Sequence, residues 1–253
     1  MRKIAVANQK GGVGKTTTTI CVAQELRNRG YKVCVLDTDA QCNTTHFYGA
    51  KTKGENTVMD ILCGDVKAVE CVQHTDNGDI IASDEELKRA ETTVLPDERR
   101  FAHLRRSVAS LEGLYDFLIV DTPPAIGVAL KNVLGAVDEV IIPVDESGWS
   151  MEGIMDFSNA VDLARDANPK LKVSGILTCK THPNTKRSAN MGKLAAQLAD
   201  SLESKKFETA IRESTKCCEA LTMYSVPLKE YAPYATTTKD YSFLVDELLE
   251  AEA

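Results

Sequence analysis

Residues 4–19, IAVANQKGGVGKTTTT, constrain this chain more than any other stretch. A β-branched apolar run passes straight into Gly11, Gly12 and Gly14, then into Lys15 and a row of threonines. Strand, glycine-rich turn and helix in that order are the context a phosphate-binding loop requires. The glycines let backbone approach phosphate oxygens, so that the N–H groups around Val13 point inward as a nest. The helix that begins near Lys15 adds its positive dipole end. On this reading Lys15 reaches the β- and γ-phosphates, the Thr16 hydroxyl ligates Mg²⁺, and Thr17 donates to the α-phosphate. A glycine turn without a ligand is the alternative, but nearly every position of KGGxGKTT is specified. The loop still departs from the strict G-x-x-x-x-G-K-[ST] pattern: Gln9 stands at the first glycine, and a second lysine, Lys10, follows it.

Lys10 admits two readings from its position. It precedes the glycines, so its side chain leaves the loop instead of folding over its own phosphates. It is then either a solvated surface lysine or a cation offered to a second copy of the site. In the second case two protomers face to face each lend a lysine to the other's nucleotide. One such pair at about 4 Å and an effective dielectric near 20 is worth roughly 4 kcal/mol before desolvation, enough to couple dimerisation to a γ-phosphate. A cation supplied in trans also speeds hydrolysis.

The rest of the chain reads as the scaffold for such a loop. Short runs recur as IAVA, VCVLD, FLIVD, VIIPV and VSGILT. None alternates cleanly, as strands buried on both faces do not. Helical spacing fills the intervals over 16–29 (closed by Gly30), 124–136 (opened by Pro124), 151–167, 188–203 and 239–250. This predicts an α/β fold, a mostly parallel twisted sheet with helices on both faces. Residues 40–110, with TVMDILCG and DERRFAHLRRSVASLEG, are read as helical decoration between two core strands. No Gly-, Ser- or Pro-rich linker divides the 253 residues, so 1–253 is one domain. No apolar run approaches the roughly 18 residues of a membrane helix. The first strand begins so early that no signal peptide is expected. Eight cysteines form no CxxC pair, and Cys21 and Cys34 sit in apolar patterns, which points to free thiols in a reducing cytosol. The adjacent Cys217 and Cys218 are the one redox alternative.

Two carboxylates end the second strand. Asp37 and Asp39 are two apart, share a face and look toward the phosphates. Asp121 ends FLIVD and is placed to hold a Mg²⁺-bound water. Each alone caps a turn as readily; beside the loop they fit phosphoryl transfer, which needs a placed water, a metal and balanced charge. Net charge is −7, but residues 170–216 carry ten Lys or Arg against four acids, a local +6 that leaves −13 elsewhere. Such asymmetry marks a face for a polyanion or a solvated helix surface.

KGGVGKTT resembles the deviant Walker A motif of the ParA/MinD family of P-loop ATPases. VCVLDTDAQCNTT is similar to that family's D-x-D-P-Q-G-N-x-T segment, with Ala40 and Cys42 at its usual Pro and Gly. YDFLIVDTPPAIG resembles its Walker B segment. The resemblance spans nearly the whole chain. It implies an ATP- and Mg²⁺-dependent ATPase with slow turnover. Lys10 would reach across an ATP-sandwich homodimer, Asp39 would position the attacking water, and Asp37 would support the switch loop and the metal shell.

Branches of the family differ elsewhere. The nitrogenase iron protein needs a cysteine soon after the Walker B segment, and DTPPAIGVALKNVLG has none. MinD-type proteins end in a basic amphipathic helix, whereas KDYSFLVDELLEAEA sets acids opposite its apolar stripe, so no membrane partner is expected. The short ParA form remains, without an operator-binding region before the first strand. It implies a cytoplasmic, nucleoid-associated partitioning ATPase that binds DNA without sequence preference, with a ParB-type centromere-binding partner. Alignment of TKRSANM and AIRESTKCCEA points to Arg187 and Lys216 as DNA contacts, with Lys186 and Lys193 adding to the patch. Arg212 is read both as part of that patch and as a nucleotide contact on the adenine side. IRESTK departs from I-P-R-N-x-R, so a cargo-positioning ATPase with little DNA binding is the alternative. A metabolic, ligase-like ATPase is a third and needs a small-substrate pocket.

Overall fold

The computed structural model describes residues 1–64, 66–90, 102–146 and 151–250, with the backbone alone over 151–156. Among the described residues seven strands form one sheet: β1 (Arg2–Val6), β2 (Val33–Asp37), β3 (Val72–Thr75), β4 (Gly78–Ile81), β5 (Phe117–Asp121), β6 (Glu139–Asp145) and β7 (Lys172–Cys179). Their order is β3-β4-β2-β5-β1-β6-β7, parallel throughout except for the β3–β4 pair. The α/β fold with a mostly parallel sheet is as the sequence implies.

Alternation inside the apolar runs builds two helical layers. Leu118 and Val120 of β5 face one core with Ala5, Leu36, Val140 and Ile142. Phe117 and Ile119 face the other with Ile4, Val35 and Ile141. The first core is covered by α4 (His103–Val108), α5 (Val128–Ala136), α6 (Met151–Ala167) and α7 (Lys186–Ser201). The second is covered by α1 (Lys15–Asn28) and the last helix, α10 (Thr236–Glu250). α1 opens on a run of threonines, weak helix formers, so packing and not propensity sustains it. It is buried from Thr18 through Leu26.

Two readings are corrected, and part of a third lies outside the described residues. Residues 40–110 hold more than helices: besides α2 (Asn43–Tyr48) and α3 (Val58–Cys63) they contribute the β3–β4 hairpin, with β4 paired to β2. Of DERRFAHLRRSVASLEG, the first five residues lie outside the described residues, as do the last three of the chain. The helix expected from Pro124 starts at Val128, because Gly127 is extended (φ −114°, ψ −165°) and serves as its N-cap.

Beyond β7, residues 205–213 run along the sheet edge. Phe207 N donates to Ile176 O at 3.0 Å, Ile211 N to Thr178 O at 2.8 Å and Thr181 N to Ile211 O at 3.0 Å. Gly175 makes room for this rail: a Cβ there would lie 2.6 Å from the Phe207 ring. The rail carries the chain on to α8 (Thr215–Cys218), a five-residue π-helical turn over Glu219–Met223, and α9 (Leu228–Tyr231).

At the sheet end away from the glycine loop, Arg2 Nε meets Glu139 Oε1 at 2.6 Å, with both side chains nearly buried. Burial alone would raise the Glu139 carboxyl, but the Arg2 guanidinium and the Ser174 hydroxyl hold it below its ordinary 4.5. With a lowered folded value, the pair's contribution is complete above the unfolded value and disappears as pH falls through the folded one. Arg2→Met leaves the buried Glu139 carboxylate only the Ser174 hydroxyl and the Lys172 ammonium at 3.8 Å, and urea unfolding at pH 7 should show a loss of about 3 kcal/mol. A loss under about 0.5 kcal/mol, the range of ordinary surface substitutions, would contradict it.

Candidate functional site

β1 lies between β5 and β6, where chain progression along the sheet reverses. A crevice at the strands' carboxyl ends follows from that topology. The glycine loop fills its floor. Gly12 and Gly14 take φ +76° and +99°, left-handed values that glycine adopts at little cost. Val13 buries its side chain, and Gly14 is the N-cap of α1, with Thr18 N on its carbonyl at 2.9 Å. Asn8 braces the entry: its amide donates to Pro143 O, and its Oδ1 accepts Lys10 N at 2.8 Å.

A cavity of about 540 Å³ opens above the loop. Its lining includes Gly11, Gly12, Gly14, Lys15, Thr16 and Thr17, with Asp39 facing them. Phe47, Leu221 and Ser225 line it further out. Burial pushes the Lys15 ammonium below its ordinary value, and the Asp121 and Asp39 carboxylates partly restore it. Its Nζ donates to Lys10 O at 3.0 Å, so a buried cation is held at the loop by a backbone carbonyl.

The carboxylates divide their work. Asp37 and Asp121 are register partners at the ends of β2 and β5. Burial and its Asp121 neighbour push Asp37 up to about 7, and burial pushes Asp121 up to about 6 despite the Thr44 and Thr16 hydroxyls. Asp37 Oδ1 accepts Asp39 N at 3.0 Å, and its Oδ2 accepts Thr45 N and Oγ1, each at 2.8 Å. Both oxygens are thereby engaged in holding the 39–45 loop, and the share in a metal shell expected of Asp37 finds neither oxygen without a donor. Asp121 Oδ2 accepts the Thr16 and Thr44 hydroxyls, each at 2.7 Å, while its Oδ1 is buried with no hydrogen-bond partner. A buried orphan oxygen beside the Thr16 hydroxyl fits a hydrated Mg²⁺. Asp39 is half-buried, and its Oδ1 accepts Gln41 N at 3.0 Å.

Lys10 is no solvated lysine. Its Nζ meets Asp145 Oδ1 at 3.0 Å, in the chain's own β6 end. Arg212 lies apart from the phosphate loop. Its guanidinium is clamped on Asp240, with Nε to Oδ2 at 3.0 Å, beside a separate open cavity of about 780 Å³ that Lys216 also lines. Lys186, Arg187 and Lys193 are exposed on α7, and Lys216 is exposed on α8. The four carry no ion pair among the described residues. Lys186 and Lys193, two turns apart, share a helix face. Glu213 lines the same cavity as Lys216, and its Oε2 meets His182 Nε2 at 2.8 Å.

Sequence reasoning missed Thr44, Asp145 and Lys180. Thr44 was readable in the QCNTT run that follows Asp39. The other two act across 135 and 168 residues, where no local pattern reaches.

Residues 1–173 match the family described as AAA domain. The chain is similar to the sporulation initiation inhibitor protein Soj of Bacillus subtilis, 31% identical over 250 residues that cover 97% of each chain. It is also similar to the chromosome partitioning protein ParA of Caulobacter vibrioides, 27% identical over 259 residues, 100% of this chain and 95% of the other. Among solved structures, cobyrinic acid a,c-diamide synthase from Mycobacterium smegmatis with bound ATP analogue and magnesium has TM-score 0.84 and 29% identity, covering 100% of this chain and 96% of that one.

Proposed function

The chain belongs to the ParA/MinD family of P-loop ATPases, and from that premise we propose that it is a DNA-partitioning ATPase whose ATP-bound homodimer sits on bulk DNA. The observation that carries the reading is convergence: Lys15, Thr16 and Asp39 line one cavity, with the open oxygen of Asp121 buried behind Thr16. ATP lies there with its phosphates on the loop amides. Thr16 and Asp121 would hold Mg²⁺, which would supply positive charge at the phosphates. Asp39 orients the attacking water, and Lys15 stabilises charge that moves toward the leaving oxygen. Lys10 crosses to the partner's γ-phosphate, so dimerisation and hydrolysis are coupled.

The exposed Lys186, Arg187, Lys193 and Lys216 supply phosphate contacts, which suffice for binding without sequence preference. A ParB-type partner stimulates hydrolysis and releases the dimer, which places the protein in the cytoplasm on the nucleoid. Among the described residues no helix is long and apolar enough to cross a membrane. Glu213 and the Arg212–Asp240 clamp weaken the basic face, and that favours the cargo-positioning ATPase as the second reading.

A gel shift with non-specific duplex separates the two. The expected result is a shift with ATP and none with ADP, weakened by Arg187→Ala, with a log–log salt slope near −0.9 per phosphate contact. An ATP-dependent dimer that leaves duplex unshifted supports the cargo reading and removes the DNA role.

A further inference from the structure

Lys180 directly follows β7, and nothing in the proposed function uses it. Its Nζ donates to the carbonyl of Gly12, in the middle of the glycine loop, at 2.6 Å. Its neighbours fix where it can point. Cys179 is buried against the loop: a Cβ added at Gly14 would meet Cys179 Cβ and Sγ at 3.8 Å. On the other side, Thr181 N is tied to Ile211 O at 3.0 Å. Between these anchors Lys180 takes φ +53°. For a residue with a Cβ that conformation is strained. The strain directs the side chain over the loop, where it lines the same cavity as Lys15 and Thr17. Lys180 is exposed and has no carboxylate partner among the described residues, so a backbone carbonyl is its acceptor.

The carbonyl of Gly12 and the N–H of Val13 belong to one peptide group. An ammonium on that carbonyl polarises the group and strengthens its N–H as a donor. The loop needs its N–H groups for phosphate. We propose that Lys180 is a third cation of the nucleotide site, a positioning residue acting in cis. It straps the phosphate loop through Gly12, makes Val13 N–H a better phosphate donor, and adds its own charge at the polyphosphate. This role rests on the cavity being a nucleotide site. It differs from that of Lys10, whose ammonium is engaged by Asp145 and whose proposed target lies in the partner.

The test is a fluorescence titration of the full chain with fluorescent ATP and ADP analogues in the presence of Mg²⁺. Lys180→Met keeps the stem and removes the charge; Lys180→Arg keeps both. The Met variant should bind both nucleotides about tenfold more weakly at low salt, the worth of one charge-assisted hydrogen bond. The deficit should shrink as salt rises, and the Arg variant should recover most of the affinity. Thermal unfolding without nucleotide monitors folding of both variants, and a purely structural role would not give a salt-dependent deficit rescued by Arg. If the wild type binds and the Met variant binds equally well, the proposal for Lys180 falls and the nucleotide site stands. Met and Arg variants that are equally weak overturn it too. A wild type that binds neither nucleotide overturns the nucleotide site itself, and the Lys180 role with it.

Discussion

Asp39→Ala should lower ATP turnover by at least about a hundredfold, the low end of what a positioned base contributes, while ATP stays bound. The geometry separates these effects. The 39–45 loop is held by the main-chain N–H of Asp39 and by Thr45, both on the Asp37 carboxylate. An alanine keeps that N–H, so the loop keeps its anchor. What is lost is the carboxylate that lines the cavity opposite the glycine loop. Its negative charge also repels a polyphosphate, so its removal should tighten ATP binding even as hydrolysis stops. Single-turnover phosphate release gives the rate, and nucleotide titration gives the affinity. The variant dimer should persist on DNA with ATP, because the step that releases it is blocked. Hydrolysis at the wild-type rate would remove Asp39 from the mechanism.

The parts of this site that were legible in the sequence are those whose chemistry is local. Gly11, Gly12, Gly14, Lys15 and Thr16 are consecutive or nearly so, and their spacing carries their geometry. The five core strands showed as β-branched runs because burial on both faces removes polar positions. The β3–β4 hairpin did not show, since Gln73, His74 and Asp79 dilute its short strands. Its signal was the Asp76-Asn77-Gly78 run: Asp76 and Asn77 make the turn between paired Thr75 and Gly78, and Gly78 opens β4 at φ +118°. Cys42 illustrates a departure that structure explains. The family's usual glycine stands there, and the position is left-handed, φ +56°, as the N-cap of α2. A side chain is tolerated at a strain of about 1–2 kcal/mol, and the loop that carries Asp39 keeps its path. The metal role expected of Asp37 came from the family resemblance; its spacing from Asp39 gave only a shared strand face. Which oxygens the Thr45 groups occupy was decided by how α2 folds back, and no spacing encodes that.

Lys10→Ala should weaken the ATP-dependent dimer by about thirty- to a hundredfold, and Asp145→Asn should strengthen it. A charge pair worth roughly 4 kcal/mol before desolvation leaves about 2–3 kcal/mol once both groups lose water, and 1.4 kcal/mol is a factor of ten. In the isolated chain the Lys10 ammonium lies 3.0 Å from Asp145 Oδ1, whose side chain is only 10% exposed. A lysine that must reach a partner's γ-phosphate has first to leave this carboxylate, so Asp145 competes with the neighbouring nucleotide for one cation. On the proposed function, that competition should leave the chain monomeric without ATP. Asp145→Asn removes the competitor's charge while keeping its shape and a hydrogen-bonding oxygen, so the balance moves toward the dimer. The double variant should behave like Lys10→Ala alone, because the proposed effect of Asp145 on dimerisation runs through Lys10. Sedimentation with a non-hydrolysable ATP analogue reads all four proteins. A weaker dimer for Asp145→Asn would reverse the sign and make Asp145 the residue that aims Lys10 across the interface instead of holding it back.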